Sequence, residues 1–107
     1  MTGVQTCALP ISVVYIEHKN LWAARGPVDP AQAVPLGKAA RVREGNALTL
    51  VSWSKQMQAC SAACDALAAE GIAVDLIDLR TLWPWDRDTV LSSCARTGRL
   101  LVVHEAV

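Results

Sequence analysis

The chain has 107 residues, of which 52% are hydrophobic and 19% charged, with Lys and Arg equal in number to Asp and Glu. That length suits one domain and is too short for two complete ones, and the apolar content excludes disorder of the bulk. Zero net charge with scattered Lys and Arg gives no basic footprint for nucleic acid or anionic lipid, no apolar run nears the ~20 residues of a membrane span, and the N-terminus lacks a signal-peptide pattern.

Residues 1 to 11 (MTGVQTCALPI) match, codon for codon, the translation of a common sequencing-adapter strand. A GTG start codon is written as Met1, and a leftover base completes the codon of Ser12. Residues 1 to 12 are therefore expected to be non-native and to pack specifically against nothing. The same origin implies a gene cut on its 5′ side, and the close at Val107 inside an apolar pattern implies a cut on the 3′ side. Val13 to Glu17 (VVYIE) is apolar, β-branched and aromatic, and reads as a buried strand. From His18 to Gly45 the chain passes Gly26, Pro27, Pro30, Pro35 and Gly37, a density of breakers that predicts an irregular connector over a surface. Lys38, Arg41, Arg43 and Glu44 read as its solvated face.

Ala47 to Ser52 (ALTLVS) predicts a strand buried on both faces. In Lys55 to Glu70, Met57, Cys60, Cys64 and Leu67 recur at helical steps among helix-favouring alanines, with Ser54 as N-cap and Gly71 just past the end. Ile72 to Leu79 (IAVDLIDL) is a third strand. Asp86 caps a short helix through Val90, Leu91 and Cys94 that Gly98 stops. Arg99 to Val103 is a fourth strand, ending in His104 and Glu105. Alternating strand and helix at this spacing predicts an α/β fold of three layers, α/β/α, with a mainly parallel sheet.

Cys60 and Cys64 share a helical face but diverge, so they read as reduced thiols packed as small hydrophobes, and no neighbouring His completes a metal site. This cysteine usage suits a reducing compartment. Trp22, Trp53, Trp83 and Trp85 read individually as core or partly buried side chains, although Trp83 and Trp85, flanking Pro84, are not expected both to be buried.

Four blocks in order carry a family resemblance. They are Glu17-His18-Lys19; Val34 to Ala39 (VPLGKA) with Val42 to Gly45 (VREG); Glu70 to Leu82 (EGIAVDLIDLRTL) with Pro84 and Asp86; and Thr97 to Ala106 (TGRLLVVHEA). Together they resemble the beta subunit of the decarboxylating component of thiamine-diphosphate-dependent 2-oxo-acid dehydrogenases, the pyruvate type foremost, with branched-chain and acetoin enzymes as relatives. The resemblance implies that residues 13–17 are the last strand of a cofactor-binding domain. It makes residues 18–45 the connection and residues 46–107 the first part of a transketolase-like C-terminal domain.

It further implies an oxidoreductase that couples oxidative decarboxylation to acyl transfer onto lipoyl groups. Thiamine diphosphate and magnesium would serve the whole enzyme, and the alpha subunit, a second beta subunit and a lipoyl acyltransferase core would be its partners in the bacterial cytoplasm. Neither the diphosphate site nor the activating glutamate of that family matches any residue here, so no catalytic, cofactor-binding or metal residue is assigned and the chain alone is expected to be inactive. His104 and Glu105, at the carboxyl end of a predicted parallel strand, are the candidate site residues, for an active-site approach or a subunit contact. The bland reading makes them a strand-terminal pair facing solvent. Asp78 and Arg80 read as a local network around the turn at Thr81. A transketolase or deoxyxylulose-phosphate synthase piece, or a non-catalytic α/β interaction module, are the competing readings. The residues that would select one 2-oxo acid over another are not among these blocks.

Overall fold

The protein is described by a computed structural model over residues 12–105. Four strands form one sheet in the order β1-β3-β2-β4: β1 (Ala40–Arg43), β2 (Leu48–Ser52), β3 (Val74–Asp78) and β4 (Leu100–Val102). β2 runs parallel to both β3 and β4, while β1 lies antiparallel on β3. α1 (Gln56–Ala69) connects β2 to β3, and α2 (Arg87–Thr97) connects β3 to β4.

Register explains the layering. Leu50 lies opposite Leu76, and Val51 opposite Ile77. Alternate residues of a strand face opposite sides, so each pair serves a different face. On one face Cys60 and Cys64 of α1 pack on Leu50, Val74 and Leu76, with Met57, Leu67 and Val103 at the margin. On the other, Val90 of α2 packs on Val51, Ile77 and Leu79, with Ala39, Trp53 and Cys94 around it. The three-layer, mainly parallel α/β/α expectation is met, with an antiparallel edge added by β1. Cys60, Cys64 and Cys94 are free thiols, the first two buried. Burial pushes the Cys64 thiol pKa up, although Arg43 pulls the other way.

The helix ends follow the sequence cues except at one point. At the end of α1, Gly71 takes φ +81° and its N–H meets the Ala68 carbonyl at 3.0 Å, while Ile72 N–H meets that of Leu67 at 2.9 Å. This is the paired closure that a left-handed residue after a helix allows. Asp86 caps α2 through Thr89, and Gly98 closes it at φ +70°. Ser54, by contrast, is no N-cap. It sits at φ +57°, Lys55 holds the cap position, and no side chain caps the helix.

Four further expectations need correction. Val13–Glu17 is no strand here: Val14 and Tyr15 are 85% and 84% exposed, because among the described residues no strand lies beside the segment to accept its hydrogen bonds. The connector is not irregular throughout, since it holds the 3-10 turn Lys19–Leu21 and its last residues form β1. Arg41 and Arg43 are not merely a solvated face, since Arg41 pairs with Asp75 and Arg43 with Asp65. Trp22 is also exposed, at 69%. The packing of residues 1 to 11 and the environment of Cys7 lie outside the described residues.

Candidate functional site

Three parallel strands place their carboxyl ends on one edge of the sheet, the edge where α/β folds gather ligand-facing groups. Two of those ends are stitched together. Val103 N–H donates to the Val51 carbonyl at 3.0 Å, and Ser52 Oγ donates to the Val103 carbonyl at 2.7 Å. The stitch brings the next residues of each strand side by side, so the rings of Trp53 and His104 stack, 5.4 Å between centroids and 10° from parallel. Positive φ at Ser54 then turns the chain into α1 and brings Gln56 to the same spot. Gln56 Nε2 donates to Glu105 Oε1 at 3.2 Å, and His18 Nε2 reaches Glu105 Oε2 at 2.9 Å. The His18 hydrogen bond, with smaller help from Gln56 and Lys55, holds the Glu105 carboxyl below its ordinary pKa.

The neighbouring rim, after β3, is a local network as its sequence suggests. Asp78 accepts from Arg80 N–H at 3.3 Å and faces Arg80 Nε at 3.7 Å, with Arg80 at φ +59°. Burial raises the Asp78 pKa in spite of this partner. Thr81 Oγ1 accepts from Gly37 N–H at 3.0 Å, and Asp86 accepts from Ala39 N–H at 3.0 Å and from Thr89 Oγ1 at 2.7 Å. Burial works to raise the Asp86 pKa, but hydrogen bonds from Ala39 and Thr89 outweigh it and the net shift is downward. Trp83 stands 85% exposed on this rim, so the aromatic pair around Pro84 is not buried.

A second polar cluster lies under α2, and the sequence reading missed it. Asp75 is fully buried, yet its carboxylate is engaged on both oxygens. Gly45 N–H reaches one at 3.2 Å and Arg41 Nε at 3.3 Å, while Arg96 Nη2 reaches the other at 2.8 Å and Ser93 Oγ also donates to it. Ser93 continues the chain to Thr49 at 2.6 Å. A buried charge persists only when paired and hydrogen-bonded, and this one is both. The available signal was an Asp interrupting an apolar strand run, with no sequence cue to which arginines would answer it.

The structure thus brings His104 and Glu105 together with His18, Trp53 and Gln56, none of which the sequence reading joined to them. The arrangement can bind and orient. Glu105, held ionised at neutral pH with both oxygens occupied, is poorly suited to donating a proton. A magnesium–diphosphate site does not fit these residues: among the described residues no three of His, Cys, Asp and Glu gather as a ligand set, and a hard cation of this kind needs carboxylate donors beside its phosphates. Among them, too, no helix is long and apolar enough to cross a membrane.

A mainly parallel sheet whose strands alternate with helices, with one polar rim at its carboxyl edge, defines an α/β domain of the open, layered class. The sequence profile of the transketolase C-terminal domain matches residues 37–107, and the chain belongs to that family. Among its relatives, the beta subunit of acetoin:2,6-dichlorophenolindophenol oxidoreductase of Cupriavidus necator is 45% identical over 88% of this chain and 28% of its own length. The mitochondrial 2-oxoisovalerate dehydrogenase beta subunit of Chaetomium thermophilum is 44% identical over 88% of this chain and 21% of its own. The beta subunit of the pyruvate dehydrogenase E1 component of Acholeplasma laidlawii is 40% identical over 92% and 31%. In structure, a split-gene transketolase described as an inactive beta4 tetramer superposes with a TM-score of 0.68 at 28% identity, over 73% of this chain and 26% of that one. The chain spans less than a third of each of these proteins. The resemblance drawn from the four sequence blocks, to beta subunits of 2-oxo-acid dehydrogenases, agrees with these relatives.

Proposed function

We propose that this segment works as part of the beta subunit of a thiamine-diphosphate-dependent 2-oxo-acid dehydrogenase, with the pyruvate enzyme as first choice of substrate. The observation that carries the reading is the identity of 40% to 45% to beta subunits of the pyruvate, 2-oxoisovalerate and acetoin enzymes, against 28% to the split-gene transketolase. Geometry supports a scaffolding share in the work: at the carboxyl edge Trp53 stacks on His104, and His18 and Gln56 hold Glu105 in an ordered rim. In the whole enzyme, thiamine diphosphate with magnesium would supply the electron sink for decarboxylation, held by residues outside the described ones. Residues 13–17 belong to the cofactor-binding domain in this reading, residues 18–45 link it to the sheet domain, and His104 and Glu105 lie on an approach or subunit contact. The partners are an alpha subunit, a second beta subunit and a lipoyl acyltransferase core, in the bacterial cytoplasm.

The test is to recover the full reading frame and its genomic neighbour, co-express both, and assay pyruvate, 2-oxoisovalerate and acetoin. Oxidative decarboxylation or cleavage that needs both polypeptides and added thiamine diphosphate is expected, and the rates on the three compounds assign the substrate. Ketol transfer between sugar phosphates, by one polypeptide or by the pair, would overturn the reading in favour of a transketolase.

A further inference from the structure

The connector between Ser12 and β1 is anchored at both ends. Near β1, Gly37 and Ala39 donate their amides to Thr81 and Asp86. At the other end, among the described residues, the polar contact of residues 12–36 with the sheet domain is the one from His18 to Glu105. His18 also heads the 3-10 turn Lys19–Leu21, and its Nδ1 accepts from Asn20 N–H at 3.2 Å. A backbone amide can only donate, so Nδ1 carries no proton and the single ring proton of the neutral imidazole sits on Nε2, where it donates to Glu105 Oε2. One imidazole therefore caps the connector's first turn and ties that turn to the carboxyl edge. Gln56, in the first turn of α1, holds the other carboxylate oxygen and fixes the acceptor in place.

We propose that His18 and Glu105 form a latch that holds the connector's first turn against the carboxyl edge of the sheet, with Gln56 bracing the acceptor. The latch needs nothing from the reaction, so it stands or falls apart from the functional assignment. Glu105 is on this account a clasp.

Hydrogen–deuterium exchange of the full-length polypeptide carrying this segment tests the latch. His18→Asn keeps a side-chain acceptor for the turn but is too short to reach Glu105, and Glu105→Ala removes the clasp alone. Each should speed exchange in peptides spanning residues 19–24 by about two- to fivefold, the scale of one exposed charged contact, while peptides of β3 keep their protection. The double variant should add little to either single one, as a shared contact requires. If one variant disturbs β3, the other decides. Unchanged exchange over residues 19–24, additive effects in the double variant, or loss of β3 protection in both variants would overturn the latch.

Discussion

Asp75 shows how much one side chain decides in a small sheet. Its carboxylate joins the turn before β2, through Gly45, to β1 through Arg41 and to α2 through Arg96 and Ser93. Removing one partner of a buried pair leaves the others desolvated and unanswered, and that loss outweighs the modest worth of the pair itself. Asp75→Ala should cost about 3 kcal/mol, discounted from the fully buried case because Arg41 and Arg96 can swing to water. Asp75→Asn should cost less, since an amide still accepts from Gly45. Denaturant midpoints of the full-length polypeptide measure both, and a loss below about 1 kcal/mol for Asp75→Ala would contradict this account. Two other aspartates give opposite pH signatures. The folded-state pKa of Asp86 lies below its unfolded value of about 3.9, so its contribution is fully present above that value and is lost as pH falls through the folded one. Asp78 is raised by burial, so it favours the fold at low pH and loses that contribution as pH rises through its folded value. Stability of Asp86→Asn should therefore fall below the parent at neutral pH and converge on it in acid. That of Asp78→Asn should gain on the parent as pH rises. Parallel curves across pH would refute both assignments.

At the scale of elements, β1 and the connector are where sequence and structure part. β2, α1, β3, α2 and β4 lie within a few residues of their predicted spans, because apolar period and glycine stops are local signals. β1 (Ala-Arg-Val-Arg) carries no such signal. Its one large apolar side chain, Val42, is 49% exposed, and the strand is held by pairing with β3 and by Arg41 on Asp75, both long-range. Val13–Glu17 errs the other way, since an apolar β-branched run states a propensity whereas a strand needs a neighbour. The place of His104 and Glu105 was legible from the carboxyl-end rule, but their partners His18, Trp53 and Gln56 come together only through the fold. Two glycines sharpen the point. Gly71 needs its positive φ, whereas an added Cβ on Gly45 would run into the backbone of Ala73 and Val74. Gly71→Ala should cost about 1 kcal/mol, the usual price of a side chain in that conformation. Gly45→Ala should cost about 3 kcal/mol or more, because the turn into β2 must move off β3 and strain the amide contact to Asp75. Thermal unfolding of the two variants would rank them, and equal losses would count against the close approach at Gly45.

At the scale of the whole molecule, the open side of the sheet among the described residues is at β4. Its residues Leu100, Leu101 and Val102 are all about half exposed, at 50%, 48% and 47%. Beside them an apolar hollow runs between the sheet and α1, lined by Leu48, Leu50, Ala63, Leu67, Leu101 and Val103. A parallel sheet is stable when both faces are covered, and an uncovered edge strand offers unpaired backbone groups to any passing chain. The core among the described residues is also small: two clusters of five and four buried residues sit on either face of four strands. A unit of ~60 residues has little margin even when fully covered. The polypeptide of residues 13–107 on its own should therefore be loosely folded or self-associating, with a broad denaturation transition and mixed species on size-exclusion chromatography. Leu101→Lys places a charge on the exposed edge and should shift the population toward monomer, in the way natural edge strands are protected. A sharp cooperative transition from a monodisperse monomer of the parent sequence would show that β4 needs no cover. A Leu101→Lys variant that still associates would place the contact elsewhere than on this edge.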